Sequence, residues 1–258
     1  MPARQQRIGP TILDISAIAL ATFGFAFAGF IKGLTGLGFS STCLPFLVLA
    51  LGLKTAIPLV LLPSLATNTS VMIDAGHFRE TLQRFWPMYI TTLAGLGIGL
   101  YFLVSLDEDG LVAILGLVLM GYGAYALAKP DLRLPSRLEK PLALPSGLLT
   151  GVINGCTGCQ LVPSMPFLMA LHMEPNRFLQ AINISFSLSS VVVAAGLAKF
   201  GLLTWKILGF SLLSFIPVFS GIWVGSRLRK QLSVAAFRTA ALSVMVLLGA
   251  LLMLRPVF

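Results

Sequence analysis

The most informative segments of this chain are GFIKGLTGLGFSSTCLPFLVLALGL at residues 29–53 and LALPSGLLTGVINGCTGCQLVPSMPFLMAL at residues 142–171. Each is long and apolar enough to enter a membrane, where a span needs about 20 predominantly apolar residues. Both are interrupted near the middle by glycine, proline and small polar residues. Irregular backbone at membrane depth is tolerated only where protein or a watery cavity covers it. We therefore expect two broken or re-entrant segments that line a cavity.

The composition of the whole chain also indicates a membrane protein. Of its 258 residues, 57% are apolar and 10% are charged, whereas a soluble domain has about 45–50% apolar and 25% charged residues. This argues against a soluble, disordered or disulfide-stapled protein. We predict an all-α polytopic integral membrane protein in which residues 1–258 form a single transmembrane domain. The uninterrupted apolar segments are residues 11–29, 55–73, 85–105, 111–128, 177–198, 202–226 and 234–254.

Spaced glycines indicate that the two halves of the chain are copies of each other. Gly29 and Gly33 align with Gly147 and Gly151, which lie 118 positions further along the chain. Later glycines align at a separation of 126, namely Gly95 with Gly221, Gly99 with Gly225, and Gly123 with Gly249. We expect a first repeat with its leading span at residues 11–128, a cytoplasmic linker at residues 129–141 and a second repeat at residues 142–258.

Charged loops bear on the orientation of the repeats, because cytoplasmic loops carry an excess of Lys and Arg. The basic segments are residues 1–7, 74–84, 129–141 and 226–233, and the loop at residues 106–110 is acidic. If residues 29–53 and 142–171 are both re-entrant, the basic loops lie inside, the acidic loop lies outside, and the repeats are inverted. If residues 142–171 make one full crossing, the repeats are parallel and Arg227, Arg229 and Lys230 lie outside. We favour inverted repeats.

The basic loops also account for the net charge of +9, so we expect no nucleic-acid partner.

Polar residues and glycines near the two breaks are the candidate substrate contacts. Inverted repeats with broken helices are typical of transporters, whose substrate site lies near the membrane midplane. A half-helix that begins at a cavity points free N–H groups and its positive dipole end at an anion. The alternative for each small residue is packing between helices. The candidates are Lys32, Thr35, Gly36, Gly38, Ser40, Ser41, Asn68, Asn154, Gly155, Cys156, Thr157, Gly158, Gln160 and Asn183.

Among the candidates, Lys32 is the residue that would indicate the charge of the substrate. It is the only base between residues 8 and 53, and a charge inside the membrane costs several kcal/mol unless it is paired or hydrated. Its alternative role is snorkelling to the membrane surface, because the predicted topology puts it near the outer end of the first span. A role at the cavity would favour an anion.

Cys156 and Cys159 form a Cys-x-x-Cys pair, which raises the question of redox or metal chemistry. A zinc site needs two further ligands, and the chain offers Cys43, His77 and His172. We expect the cysteines to be packing residues beside the cavity, and we expect no catalytic residue, cofactor or metal site. The chain also lacks a Walker-type phosphate-binding loop, which favours a secondary transporter over an ATP-driven one. An anion channel and a thiol-dependent intramembrane enzyme that uses Cys156 and Cys159 are the alternatives.

The paired motifs GFIKGLTGLGFSSTCLP and GLLTGVINGCTGCQLVP, one in each half of a short basic membrane protein, resemble those of the TauE/SafE sulfite-exporter family. The resemblance covers essentially the whole chain. It implies a secondary transporter that moves a small sulfur-containing anion, such as sulfite, sulfoacetate or another organosulfonate, by alternating access. It also implies a multi-pass protein of the bacterial inner membrane, whose partners are the anion and the lipid bilayer. A homodimer is a further possible assembly.

Overall fold

The computed structural model describes residues 15–128, 132–229 and 234–254, with the side chains of residues 234–238 left aside. Within these ranges the chain forms eleven helices and no β-strand. The helices are α1 (Ile15–Thr35), α2 (Phe39–Leu51), α3 (Leu53–Ala75), α4 (Phe78–Ser105), α5 (Glu108–Leu127), α6 (Ser136–Thr157), α7 (Ser164–Ala170), α8 (Pro175–Lys199), α9 (Trp205–Leu213), α10 (Phe215–Leu228) and α11 (Val234–Leu254). The predicted all-helical class is confirmed.

Several of these helices are long and apolar enough to cross a membrane. In the described part of the chain there are six such segments, namely α1, α3, α4, α5, α8 and the joined pair α9 and α10. The hydrophobic surface that the bundle leaves exposed, including Trp205 and Ile216 on the joined pair, suits contact with lipid. The predicted multi-pass membrane protein is therefore supported by the structure.

Three helix boundaries differ from the predictions. We predicted that the first span ends at residue 29, but α1 continues through Lys32 to Thr35 and ends where Gly36 and Gly38 both have φ of +77°. Left-handed backbone of this kind stops a helix and favours glycine. Helix α6 begins at Ser136, inside the segment predicted as linker, because charged residues with good helix propensity form its first turns. The predicted span 202–226 is interrupted at Ser214.

Helices α1 and α2 form a hairpin. The ring of Phe46 in α2 packs edge-on against Phe23 and Phe27 of α1, with centroids 5.5 and 5.9 Å apart. The 13 residues of α2 extend about 20 Å at 1.5 Å per residue, which is shorter than the roughly 30 Å hydrocarbon core of a bilayer. Gly52 then leads directly into α3.

Helices α6 and α7 form a similar but shorter pair in the second half. The chain leaves α6 at Gly158 and returns as the seven-residue α7. The first residue of α7, Ser164, lies with its Oγ 2.8 Å from Thr150 Oγ1 in the middle of α6, and its backbone N–H donates to the same oxygen at 2.9 Å. The chain between the two helices therefore folds back beside α6.

Glycine contacts join the first half of the chain to the second. Helix α1 packs against α10, and α4 packs against α6, so closely that a Cβ at the contacting glycines would meet the backbone of the facing helix. In each pair the residue numbers rise together, so the two helices run parallel. The glycines are Gly29, Gly33, Gly221 and Gly225 in one pair, and Gly95, Gly99, Gly147, Gly151 and Gly155 in the other.

Two further pairs run antiparallel. In α5 and α11, Gly116 lies against Gly249, whereas Gly123 lies against Leu242 and Val246. In α3 and α8, residues near the end of one helix contact residues near the start of the other. Gln180 lies at Gly76, and Val60 and Val193 line a shared cavity. Helix α3 therefore packs antiparallel to α8, and α5 packs antiparallel to α11.

The loops gather at two ends of the bundle. At the basic end, Arg84 pairs with Glu139 at 2.6 Å and Arg177 pairs with Glu80 at 3.4 Å. At the acidic end, the Glu108 side chain accepts a hydrogen bond from the backbone of Leu53.

Helix α1 starts at the acidic end and finishes at the basic end, where Thr35 shares a cavity with Arg229. We predicted Lys32 on the acidic side, near the outer end of the first span, and this is wrong because the helix runs the other way. The N-terminal bases Arg4 and Arg7 lie outside the described residues.

Candidate functional site

A buried lysine joins two asparagines inside the bundle. Lys32 is 3% exposed, and its Nζ donates to Asn68 Oδ1 at 2.7 Å and to Asn183 Oδ1 at 2.9 Å. The three residues come from α1, α3 and α8, so both halves of the chain contribute. The structure thus brings together three of the predicted contact residues that lie far apart in sequence.

The positive charge of Lys32 has no acidic neighbour among its described partners. In the part of the chain that the structure describes, Lys32 is the only charged side chain that is buried, and both of its hydrogen-bond partners are neutral amides. A buried charge loses the stabilisation it had in water and interacts strongly with other charges nearby. A protonated Lys32 would make this part of the bundle interior electropositive, which would favour an anion.

Hydrogen bonds connect Lys32 to the start of α2. Asn68 Nδ2 donates to Ser64 Oγ at 3.3 Å, and Ser64 Oγ lies 2.8 Å from Ser40 Oγ. On the other side of Lys32, Asn183 Nδ2 donates to the carbonyl oxygen of Leu179 at 2.7 Å. The buried charge is therefore linked through Asn68 and Ser64 to the break between α1 and α2.

Residues from the two breaks line two small cavities, which we call the central cavities. The polar residues of the first are Ser40, Ser64, Asn154, Gln160 and Ser190, with Gly158 beside them. The second is lined by Gly38, Phe39, Ser40, Ser41, Asn68, Gln160, Leu161 and Phe186. Each has a volume of about 10 Å³, which is room for one water molecule. The breaks of the two halves thus meet at one place.

Two buried amides lie at the central cavities with an unsatisfied polar atom. Asn154 Nδ2 and Gln160 Oε1 have no hydrogen-bond partner among the described residues, although the two side chains are only 1% and 8% exposed. Leaving a buried donor or acceptor unpaired costs about 1–3 kcal/mol. Such atoms in a native structure call for an explanation, and a ligand or ordered water is the simplest.

The N-terminus of α2 points at the second central cavity. No side chain caps this helix, and its first backbone hydrogen bond runs from Thr42 N to Gly38 O at 3.0 Å. The N–H groups of Phe39, Ser40 and Ser41 therefore precede the first intrahelical bond, and these residues line the cavity. Free N–H groups and the positive end of the helix dipole favour a bound anion.

Three predicted residues shape the breaks. Thr35 Oγ1 donates to the carbonyl of Ile31 at 2.8 Å and accepts from Leu37 N at 3.2 Å, which closes the end of α1. Thr157 Oγ1 makes the matching pair at the end of α6, to Ile153 O at 2.6 Å and from Cys159 N at 3.2 Å. Gly36 supplies the left-handed turn after α1.

Gly155 and Cys156 lie outside the central cavities. Gly155 packs against the backbone of α4 at Leu96 and Gly99, and Cys156 Sγ donates to Ile153 O at 3.3 Å. The three cysteines are buried and form no disulfide. Across the described ranges, no group of three His, Cys, Asp or Glu residues is placed to hold a metal ion.

The sequence interpretation missed three polar residues near the site, one of which, Ser190, lines the first central cavity. Ser64 connects Asn68 to Ser40, and the signal for it was a hydroxyl one helical turn before the predicted asparagine. Gln180 is fully buried, and its amide, oriented with the nitrogen toward α3, donates to Met72 O at 2.8 Å and Gly76 O at 2.7 Å. Gln180 thereby caps the end of α3, a role that only the packed structure reveals.

A larger cavity, which we call the vestibule, lies between the central cavities and the basic end. Its volume is about 290 Å³. Gly38, Ser41 and Leu161 line both the vestibule and the second central cavity, so the two spaces are neighbours. Its other lining residues are Ile31, Leu34, Thr35, Leu37, Thr42, Tyr122, Met165, Met169, Phe178, Arg229, Ala241, Leu242 and Met245.

The family model described as Sulfite exporter TauE/SafE matches residues 20–252 of the chain. The matched range contains both breaks, the central cavities and every predicted contact residue. Comparisons with curated proteins and with solved structures find no match.

Proposed function

Since this chain belongs to the sulfite exporter TauE/SafE family of membrane transporters, we propose that it is a secondary transporter of a small anion. The observation that carries the proposal is the buried Lys32, whose described partners are the neutral amides of Asn68 and Asn183. An anion that binds nearby would neutralise this charge. The family assignment made from the paired motifs is confirmed by the match over residues 20–252.

The substrate we propose is a sulfur oxyanion, namely sulfite, sulfoacetate or another organosulfonate. Its oxygens would accept from the N–H groups at the start of α2 and from Asn154 Nδ2, which has no other partner in the part of the chain that the structure describes. These donors favour an anion with several oxygens, because each donor needs an acceptor at hydrogen-bond distance. The choice of sulfur over carbon or phosphorus rests on family membership.

Transport would require the two breaks to separate. The central cavities hold about 10 Å³ each, which is room for water but not for an oxyanion. We propose that the segments around Gly38 and Gln160 move apart to admit the substrate from one end of the bundle and then from the other. A carrier that works by alternating access needs such a closed state, whereas an open anion channel does not.

Antiparallel packing supports inverted repeats. In inverted repeats, a two-fold axis in the plane of the membrane relates each helix to its counterpart. This rotation reverses the direction of a membrane-crossing helix, so the two counterparts are antiparallel. The pairs α3 with α8 and α5 with α11 are antiparallel, as this axis requires. Parallel repeats would make each of these pairs parallel.

We further propose that the basic end faces the cytoplasm of a bacterial cell, so the protein is a multi-pass protein of the inner membrane. Among the described residues, the basic end carries the bases Arg79, Arg84, Arg133, Arg137, Lys140, Arg177, Arg227 and Arg229, while the opposite end carries three bases, Lys54, Lys199 and Lys206, together with Asp107, Glu108 and Asp109. This distribution follows the positive-inside rule. The vestibule then faces the cytoplasm.

Flux measurements in proteoliposomes test the proposed function. We expect uptake of labelled sulfite to saturate with concentration and to accelerate when unlabelled sulfite is present inside the vesicles. A channel would instead give flux that rises linearly with concentration and shows no counterflow. Sulfoacetate and acetate as competitors, with choline as a cation control, define the charge and class of the substrate. Competition by choline but by neither anion would refute an anion site.

A further inference from the structure

We infer that the vestibule is a second subsite that holds the apolar part of an organic anion, so the preferred substrates are organosulfonates with an alkyl or aryl tail. This inference rests on the proposed function, because it assumes that the anionic head binds at the central cavities. It adds a preference that a site for a bare inorganic oxyanion would not have.

The walls of the vestibule suit an apolar group. Met165, Met169 and Met245 line it together with Leu242 and Phe178. Methionine side chains are flexible and polarizable, so they adapt to apolar ligands of different shapes. Tyr122 donates its hydroxyl to Met165 Sδ at 3.2 Å, which holds that part of the wall in place.

The position of the polar lining residues sets the orientation of the ligand. Gly38 and Ser41 belong to both the vestibule and the second central cavity, where the N-terminus of α2 favours the anionic head. The charged residue among the described lining is Arg229, which is exposed at the basic end. A tail that extends from the head toward Arg229 would therefore pass along the apolar walls.

The sizes of the spaces support the same assignment. The vestibule encloses about 290 Å³, close to the lower limit of about 300 Å³ for small-molecule pockets. The central cavities hold about 10 Å³ each. An inorganic oxyanion would leave the vestibule filled with water against apolar side chains, whereas a tail of a few carbons would displace that water. Each buried methylene contributes about 0.8 kcal/mol, which corresponds to about a fourfold gain in affinity.

A chain-length series tests the inference on the purified wild-type protein. Binding of methanesulfonate, propanesulfonate and hexanesulfonate is measured by calorimetry, with 1-hexanol as a tail that lacks the charge. We expect the affinity to rise by about fourfold per methylene until the vestibule is filled, and we expect 1-hexanol to bind much more weakly than hexanesulfonate. In Met169→Gln, hexanesulfonate should lose affinity by about tenfold or more while methanesulfonate keeps its affinity.

The outcomes separate this inference from the proposed function. If all three sulfonates bind with the same affinity, the tail subsite is refuted and the anion site stands. If 1-hexanol binds as tightly as hexanesulfonate, the vestibule is a general apolar cavity and the inference is overturned. If neither sulfite nor any sulfonate binds, the proposed function fails and the inference fails with it.

Discussion

Lys32 in α1 donates a 2.9 Å hydrogen bond to Asn183 in α8, a residue 151 positions further along the chain. This contact joins the two halves of the molecule through a buried charge. The partner is an amide, which accepts the hydrogen bond without neutralising the ammonium group. In its protonated form Lys32 would place a positive charge at the interface between the halves, and its partner Asn68 lines the second central cavity.

Asn154→Asp tests whether the central cavities bind the anion. The substitution keeps the shape of the side chain but replaces the amide nitrogen, which has no hydrogen-bond partner among the described residues, with a carboxylate oxygen. Like charges about 4 Å apart repel by about 4 kcal/mol at the effective dielectric of proteins, so we expect methanesulfonate binding to weaken by at least about 100-fold. Asn176→Asp makes the same change at an exposed position and should leave binding unchanged. Equal affinity in the two variants would place the site elsewhere.

Gly38→Ala tests the left-handed turn before α2. Gly38 has φ of +77°, and a Cβ there would meet no atom closer than Thr42 Oγ1 at 3.7 Å. The cost is therefore conformational, about 1–2 kcal/mol, and should appear as a lower thermal midpoint together with slower transport. The matched control is Gly97→Ala in α4, where a Cβ has no neighbour within 4 Å and alanine should stabilise the helix by about 0.5–1 kcal/mol. A lower midpoint for both variants would contradict this explanation.

Replacing both Cys156 and Cys159 with alanine separates transport from thiol chemistry. Neither residue lines the central cavities, so we expect saturable uptake at close to the wild-type rate. Expression and thermal midpoint serve as the controls for folding. Abolished activity in a well-folded double variant would support a thiol-dependent mechanism.

Labelling of single cysteines tests the inverted arrangement. In a background without the native cysteines, a membrane-impermeant maleimide should label Asp107→Cys and Lys199→Cys from one side of the membrane and Arg227→Cys from the other. Positions 107 and 199 lie at the acidic end, and position 227 lies at the basic end. Labelling of positions 107 and 227 from the same side would refute the proposed topology.

The main features of the site could be predicted from the sequence because they depend on local chemistry. Glycines and polar residues interrupt two apolar segments, and a lone lysine inside an apolar stretch must find a partner. All three of Lys32, Asn68 and Asn183 were predicted as contacts from such constraints, but their pairing with one another is seen only in the folded structure. The bridging role of the Ser64 hydroxyl could not be predicted in this way, because serines in membrane helices are also common at contacts between helices.

Helix direction and helix partners were harder to predict. Hydropathy is the same for a helix that runs either way, so the sequence did not show at which end of the bundle Lys32 lies. In the structure α1 ends near the basic end, where Thr35 lines the same cavity as Arg229. The aligned glycines, which we interpreted as marks of a repeat, are also contact points between the halves. Gly29 meets Val218 of α10, a partner that the periodicity of α1 alone cannot identify.

The most direct test of the central claim is methanesulfonate binding to Lys32→Met, measured by calorimetry beside the wild type and Lys199→Met. Methionine keeps most of the length of the side chain and removes its charge, while Lys199 is an exposed base at the acidic end. We expect Lys32→Met to bind at least about tenfold more weakly, since a hydrogen bond or charge contact of this kind contributes about 1.5–3 kcal/mol, and we expect Lys199→Met to bind like the wild type. Wild-type affinity in a folded Lys32→Met protein would contradict the claim that this buried charge makes the site selective for anions.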